Sequence, residues 1–253
     1  MGLHIGDIVP RNEIQLSALK GKVLAVDAFN VIFQFLSSIR QPDGTPLMDS
    51  KGQVTSHLSG LFYLNVALLK EGIRLVYVFD GAYHPLKSKT HALRQAVKDK
   101  AREAHAAAVA DEDFLEAGKY ARQLSTVNEG MLDECKQLLQ AMGIAVYQAA
   151  GEGEMQCADL VKRGDAWAVA SQDYDALAVG GKRLIQNVTL AKTRKTASGV
   201  IYIAPEVIDY VQTLQSLELD SDQLICVAIL VGTDFNPGGV KGIGPKKALS
   251  LVR

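Results

Sequence analysis

Long apolar runs are missing from this sequence. No stretch approaches the roughly 20 apolar residues that a bilayer-spanning helix needs. The N-terminus, MGLHIGDIVPR, has no basic segment followed by an apolar core, so no secretory signal is expected. Gly6 stands where a myristoylation signal wants Ser or Thr. Cysteine is scarce. Cys135, Cys157 and Cys226 are odd in number and share no zinc-ligand or redox spacing, so they are expected to be buried free thiols of a reducing compartment. The five histidines (4, 57, 84, 91 and 105) form no HxxxH or HxH pair, which gives zinc or copper no evident site. Solenoid repeats and low-complexity tracts are also absent. These absences predict an intracellular, non-secreted chain with no membrane partner.

Hydrophobic residues make up 48% and charged residues 22% of 253 residues, which are globular values. The length suits one core with a decoration better than two domains. The net charge of −1 looks wrong for a nucleic-acid binder, but the average hides a pattern. Seven carboxylates stand out below. With those set aside, 21 acids face 27 bases, as in an acidic pit on an otherwise basic surface.

Along the chain, short apolar runs alternate with helical periods. Val23–Val26 and Leu75–Phe79 read as strands, each followed at once by an aspartate, Asp27 and Asp80. A helix is expected after Asp27 through Phe33 and Leu36, another over 54–71, and another through Met131–Met142 with Gly143 beyond its end. Ile144–Tyr147 and Trp167–Ala170 read as strands, and 153–163 as a helix closed by Gly164. Pro205 is expected to open a helix with Val207, Ile208, Val211 and Leu214 on one side. Residues 186–200 look like a polar β-connection or exposed loop. The fold class this predicts is α/β, a mostly parallel central sheet flanked by helices on both faces.

Residues 82–130 break the pattern. They contain no strand-like run, six bases and one acid over 87–102, and five acids and no base over 103–116. This predicts an inserted helical cap, with residues 1–81 and 131–219 as the catalytic core of a single domain and 220–253 as a helix-hairpin segment. A solvated helical hairpin with internal ion pairs would read the same way.

In open parallel sheets, sites form beyond the carboxyl ends of the strands. Acids collect there: Asp27, Asp80, Glu152 with Glu154, and Asp173 with Asp175, while Asp234 follows an apolar helix. A lone aspartate after a strand is ordinarily a turn former or helix N-cap. Seven that meet at one edge repel strongly unless cations neutralise them. Glu152 and Glu154 converge if the first sits in the turn and the second in the first helical turn. With oxygen donors alone, Mg²⁺ fits, or Mn²⁺ in its place. Two such ions suit phosphodiester hydrolysis, although other nuclease folds also use scattered acids.

The second signal is Asn236–Ala248. Gly242-Ile243-Gly244 before a helix start presents backbone N–H groups to a phosphate, and Pro245, Lys246 and Lys247 complete the pattern of a DNA-backbone clamp.

Taken together, Val26-Asp27-Ala28-Phe29-Asn30, Ile32–Leu36, Val78-Phe79-Asp80-Gly81, Gly151–Glu154, Ser171–Asp175 and Gly232–Gly244 resemble archaeal-type flap endonucleases of the XPG-like structure-specific 5′-nuclease superfamily. The resemblance implies a PIN-like 5′-nuclease fold and a 5′-flap endonuclease with 5′–3′ exonuclease activity in DNA replication and repair. Asp27, Asp80, Glu152 and Glu154 would surround one Mg²⁺. Asp173, Asp175 and Asp234 would surround the other, with Glu154 near both. Lys87 and Arg94 would reach the scissile phosphate, Phe33 would stack near the reacting nucleotide, and Gly2 would lie near the site. Phe33 replaces a usual Tyr, and Met155 stands where a small residue is common. Gly242, Gly244, Lys246 and Lys247 would hold a K⁺ ion and the duplex backbone. Branched or flapped DNA is the implied substrate of a monomer, cytoplasmic in an archaeal-type cell or nuclear in a eukaryotic one. A sliding clamp (PCNA) is the family's partner, through a C-terminal peptide that these residues do not include.

Two other readings compete. A PIN-like or RNase-type ribonuclease would also use metal, and nothing in the sequence reads a 2′-OH. A non-catalytic junction binder would gain nothing from seven acids that repel phosphate.

Overall fold

The computed structural model of the chain describes residues 2–41, 44–82, 84–111, 113–189, 193–196 and 199–253. Its strands are β1 (Asn12–Glu13), β2 (Val23–Asp27), β3 (Arg74–Phe79), β4 (Ala145–Gln148), β5 (Ala168–Ala170), β6 (Arg183–Gln186), β7 (Thr193–Thr196), β8 (Gly199–Tyr202) and β9 (Glu206–Asp209). Its helices are α1 (Ala28–Ser38), α2 (Ser56–Lys70), α3 (Ser88–Ala110), α4 (Phe114–Gln123), α5 (Glu129–Ala141), α6 (Gly153–Arg163), α7 (Asp175–Ala178), α8 (Tyr210–Leu217), α9 (Ser221–Val231) and α10 (Pro245–Val252).

Seven strands form one sheet in the order β1-β9-β6-β5-β2-β3-β4. The five from β6 to β4 are parallel, and β9 and β1 continue the sheet antiparallel. The central strands β2, β3 and β5 are largely apolar and buried because helices cover both faces of the sheet there. Alternation along β2 shows this directly: Leu24 and Val26 pack with Ile32, Leu61, Leu139 and Tyr77 on one side, and Ala25 packs with Cys157, Leu177 and Leu224 on the other. Local signals set the helix ends. Asp27 caps α1 by accepting from Asn30 N, Asn128 caps α5, and Gly164 closes α6 with φ 88°.

Two expectations are corrected. The segment after Pro205 is not helical at once. Glu206–Asp209 is strand β9, and the helix starts at Tyr210, with Asp209 accepting from Val211 N and Gln212 N. Val207 and Ile208 pair with Ile185 and Leu184, and they point to opposite faces of the sheet, where each finds apolar partners. Tertiary pairing thus overrides a pattern that is equally readable as helix. Of the three cysteines, Cys135 and Cys157 are buried as expected, but Cys226 is exposed on α9, whose inward positions are taken by Leu224, Val227 and Ala228.

Between β3 and β4 the chain leaves the sheet to form α3 and α4, which pack against each other. Two ion pairs lie within these helices, Arg102–Asp99 and Lys119–Glu116, each between residues three apart. Residues 186–200 include the antiparallel pair β7–β8, and 190–192 and 197–198 lie outside the described residues.

Candidate active site

Because β5, β2, β3 and β4 are parallel neighbours, their carboxyl ends lie side by side, and each delivers its acid to the same edge. Asp27 ends β2, Asp80 follows β3, Glu152 and Glu154 follow β4, and Asp173 and Asp175 follow β5. Asp234 arrives from the loop after α9. Glu152 is the N-cap of α6 and Glu154 lies in its first turn, the arrangement their spacing requires for convergence. Six of the seven carboxylates (all but Asp175) line a cavity of about 260 Å³.

The backbone and one amide hold the carboxylates in place. Asp80 Oδ1 accepts from Gly153 N at 2.7 Å, and a Cβ on Gly153 would come within 2.8 Å of that oxygen. Asp175 Oδ2 accepts from Leu3 N at 3.2 Å. Asp173 Oδ2 accepts from Asn30 Nδ2 at 3.1 Å. The chain start is packed into the site: a Cβ on Gly2 would lie 2.6 Å from Asp175 Oδ2 and 2.9 Å from Asp173 Oδ1, so only glycine fits there without displacing the acids.

Burial and mutual repulsion raise the proton affinity of these groups. Burial, then the Asp80 charge, pushes Asp27 up to about 7. Burial, then Asp173 and Asp234 against the opposing Leu3 N–H, raises Asp175 to about 6. Glu154 is held well above the usual carboxylate range by burial and by Asp175 and Asp27. Burial raises Asp80, against the Gly153 N–H. Glu154 Oε1 and Asp234 Oδ1 are buried without a hydrogen-bond partner. Unpartnered oxygens among crowded anions are what a hard divalent cation satisfies, so the donor set fits Mg²⁺.

The cap closes over this edge. Lys87, at the start of α3, lies 2.5 Å from Glu152 Oε2 and 3.7 Å from Asp234 Oδ2. Arg94 lies 2.6 Å from Asp234 Oδ2. Burial lowers the proton affinity of Lys87, but Glu152 outweighs it and the net direction is up. Among the described residues, neither cation pairs with an acid of 103–116. Both take the carboxylates of the sheet edge instead. No three acidic, His or Cys side chains among the described residues form a ready-made metal cage.

The comparisons with known proteins agree with this geometry. The XPG N-terminal domain matches residues 5–101 and the XPG I-region matches residues 143–234. Flap endonuclease 1 of Pyrococcus abyssi is 51% identical over all of this chain and 74% of its own length. The chain belongs to the flap endonuclease 1 family. Among solved structures, flap endonuclease-1 from Methanococcus jannaschii superposes with TM-score 0.77 at 45% identity, covering 100% of this chain and 77% of that one. The catalytic core of Rad2 in complex with DNA substrate gives 0.71 at 27% identity, covering 100% and 68%. The chain is therefore a nuclease of this family, whose members depend on metal.

Within this family frame, the structure adds residues that sequence reading passed over. Thr90 is fully buried, and its Oγ1 donates to Asp234 O at 2.5 Å, seating α3 on the Asp234 loop. Phe235 carries the cap from below, with Lys87 Nζ 5.0 Å from its ring centroid and the His84 ring edge-on at 5.4 Å. His91 and Phe29 line the cavity. His91 was legible as the middle of an i, i+4, i+7 stripe with Lys87 and Arg94. Phe33 is exposed on α1 but lies one turn away and does not line the cavity. At the far end of the chain, Gly242 has φ 81°, Gly244 is the N-cap of α10, Pro245 opens its first turn, and Lys246 and Lys247 are exposed there.

Proposed function

We propose that the chain is a structure-specific 5′-flap endonuclease, with 5′–3′ exonuclease activity, that hydrolyses DNA phosphodiester bonds at single-strand/duplex junctions. The observation that carries this reading is the convergence of seven carboxylates, with unpartnered oxygens on Glu154 and Asp234, beneath a cap that presents Lys87 and Arg94. Asp27, Asp80, Glu152 and Glu154 would hold one Mg²⁺, and Asp173, Asp175 and Asp234 the other, with Mn²⁺ as a substitute. When bound, the ions supply an activated attacking water and charge for the leaving oxygen.

The chain's own residues do the rest. The backbone N–H groups of Gly153 and Leu3 and the amide of Asn30 fix carboxylate orientation, so little reorganisation remains at the moment of reaction. Lys87 and Arg94 neutralise Glu152 and Asp234. With Glu152 and Asp234 holding a metal ion, Lys87 and Arg94 would be free to hold the scissile phosphate and stabilise the charge that builds up on it. Residues 82–130 act as the cap. Residues 220–253, through Gly242, Gly244, Lys246 and Lys247, hold duplex backbone, with a K⁺ ion as their candidate companion. This division explains how a chain of net charge −1 binds DNA, since its acids are gathered in one pit.

The test is cleavage of matched 5′-labelled DNA and RNA flaps, each with and without EDTA. Cutting of the DNA flap near the junction, abolished by EDTA, is expected. Preference for the RNA flap would favour a ribonuclease, and binding without cutting would favour a junction binder.

A further inference from the structure

Strand β6 ends in a residue that its neighbours do not lead one to expect. Leu184 and Ile185 are buried and apolar, and Gln186 after them is polar yet only 5% exposed. A buried amide is costly unless its oxygen and nitrogen both find partners. Those of Gln186 do. Its Nε2 donates to Gln172 O at 2.7 Å, and its Oε1 accepts from the Tyr174 hydroxyl at 3.1 Å. A backbone carbonyl can only accept, so the orientation of the amide is forced. The two bonds land on either side of Asp173 and tie β6 to the loop Ser171–Asp175, which carries two of the seven carboxylates. Within that loop Asp173 N donates to Ser171 Oγ at 3.2 Å. The chain start presses on Tyr174 as well: a Cβ on Gly6 would lie 2.8 Å from its hydroxyl, and Gly6 O accepts from Arg11 Nη2 at 2.6 Å. A polar cavity of about 370 Å³, lined in part by Arg11, Gln172, Tyr174, Gln186 and Glu206, adjoins the loop. Packing is therefore incomplete there, and hydrogen bonds help to decide where the loop sits.

We propose that Gln186 is a positioning residue for the Asp173, Asp175 and Asp234 half of the metal centre, bracketing Asp173 so that both aspartates of the loop are held ready for an ion. This deepens the nuclease reading above and rests on its assignment of a divalent-ion site. Gln186 acts through the backbone of residue 172 and the ring of residue 174 rather than by touching an ion or DNA. Hydrogen bonds one layer out from metal ligands commonly tune affinity in this way. Asp173 and Asp175 repel each other, and a loop free to move would let them separate. The bracket opposes that before any ion arrives, so less of the ion's binding free energy goes into gathering its ligands.

The experiment compares wild type with Gln186→Met, which keeps the length of the side chain and loses both hydrogen bonds, and with Tyr174→Phe, which loses one. Mn²⁺ binding to the EDTA-stripped full chain is followed calorimetrically, and single-turnover cleavage of a DNA flap is measured across Mn²⁺ concentration. In Gln186→Met one of the two ions should bind about tenfold more weakly, the lower end of what losing such a partner costs, while the other keeps its wild-type affinity. Half-maximal cleavage should need about tenfold more Mn²⁺, with the maximal rate within about threefold of wild type. A merely structural loss would lower the maximal rate in a way that added Mn²⁺ does not restore. Tyr174→Phe should shift both readouts in the same direction by less, and the double variant should be no worse than Gln186→Met, because both changes open one bracket. Wild-type affinity for both ions in Gln186→Met, equal weakening of both, or a low maximal rate that Mn²⁺ leaves unrestored overturns the proposal and leaves the nuclease reading intact. If Gln186→Met does not fold, Tyr174→Phe decides, and unchanged ion affinity there overturns the proposal. A wild type that binds two ions but cuts no flap refutes the nuclease reading instead, and the bracket is then judged by the calorimetry alone, on the same outcomes. A wild type that binds no Mn²⁺ overturns both.

Discussion

Asp175→Asn should stabilise the metal-free protein at neutral pH while destroying its activity. Asp175 is 6% exposed and crowded by Asp173 and Asp234, and its proton affinity is raised from 3.8 to about 6. That difference corresponds to about 3 kcal/mol of cost for carrying the charge. Asparagine keeps an oxygen to accept from Leu3 N and carries no charge. The cost arises because the folded state holds its proton more tightly than the unfolded chain. It is therefore absent below about pH 4, grows between about 4 and 6, and is complete above. At pH 7.5, with EDTA, the variant should melt roughly 6–12 °C higher than wild type for a chain of this size. At pH 4 the two should nearly coincide. Adding Mg²⁺ should stabilise wild type more than the variant, since part of the ion-holding set is gone. Thermal melts across pH, with and without Mg²⁺, provide the assay. A metal-free variant that melts at or below wild type at pH 7.5, or a gain independent of pH, would refute the claim that crowded anions strain this edge.

Lys87→Ala and Arg94→Ala should each slow single-turnover cleavage at least roughly tenfold, about 1.4 kcal/mol, with little change in flap affinity. Rates within twofold of wild type for both would leave the cap a passive gate. Lys246→Ala and Lys247→Ala should weaken binding to all duplex sequences alike and reduce the slope of log affinity against log salt by about one each. Unchanged affinity at low salt would show that the hairpin does not grip the backbone. Thr90→Val should unseat α3 from the Asp234 loop and slow cleavage several-fold, with Thr90→Ser restoring most of the rate. Equal rates for Thr90→Val and Thr90→Ser would show that the Oγ1 hydrogen bond does not matter.

Much of the fold was legible because the central strands β2, β3 and β5 are largely buried on both faces. Val23–Val26 and Leu75–Phe79 are continuous apolar runs that end in acids, and that coincidence gave both the parallel sheet and its active edge. Glu152 and Glu154 were readable as convergent because two residues across a helix start can face one point. β9 was not legible. Val207-Ile208 is too short a run to show a period, and its conformation is settled by β6, whose partners lie over twenty residues earlier in the chain. The partners of Lys87 and Arg94 were not legible either. Sequence distance favoured acids in the cap, whereas folding brings Glu152 and Asp234 closer. Phe29 was hidden by Phe33: both are aromatic, and only the position of α1 relative to the sheet edge decides which one faces the cavity.

The account rests on the seven carboxylates acting as a divalent-ion site, and the number of ions bound tests this most directly. Titration of the EDTA-stripped protein with Mn²⁺, followed calorimetrically at pH 7.5, should show about two ions per chain in wild type. Asp80→Ala and Asp175→Asn should each lose one of them. No saturable Mn²⁺ binding by wild type, or full binding by both variants, would contradict the account.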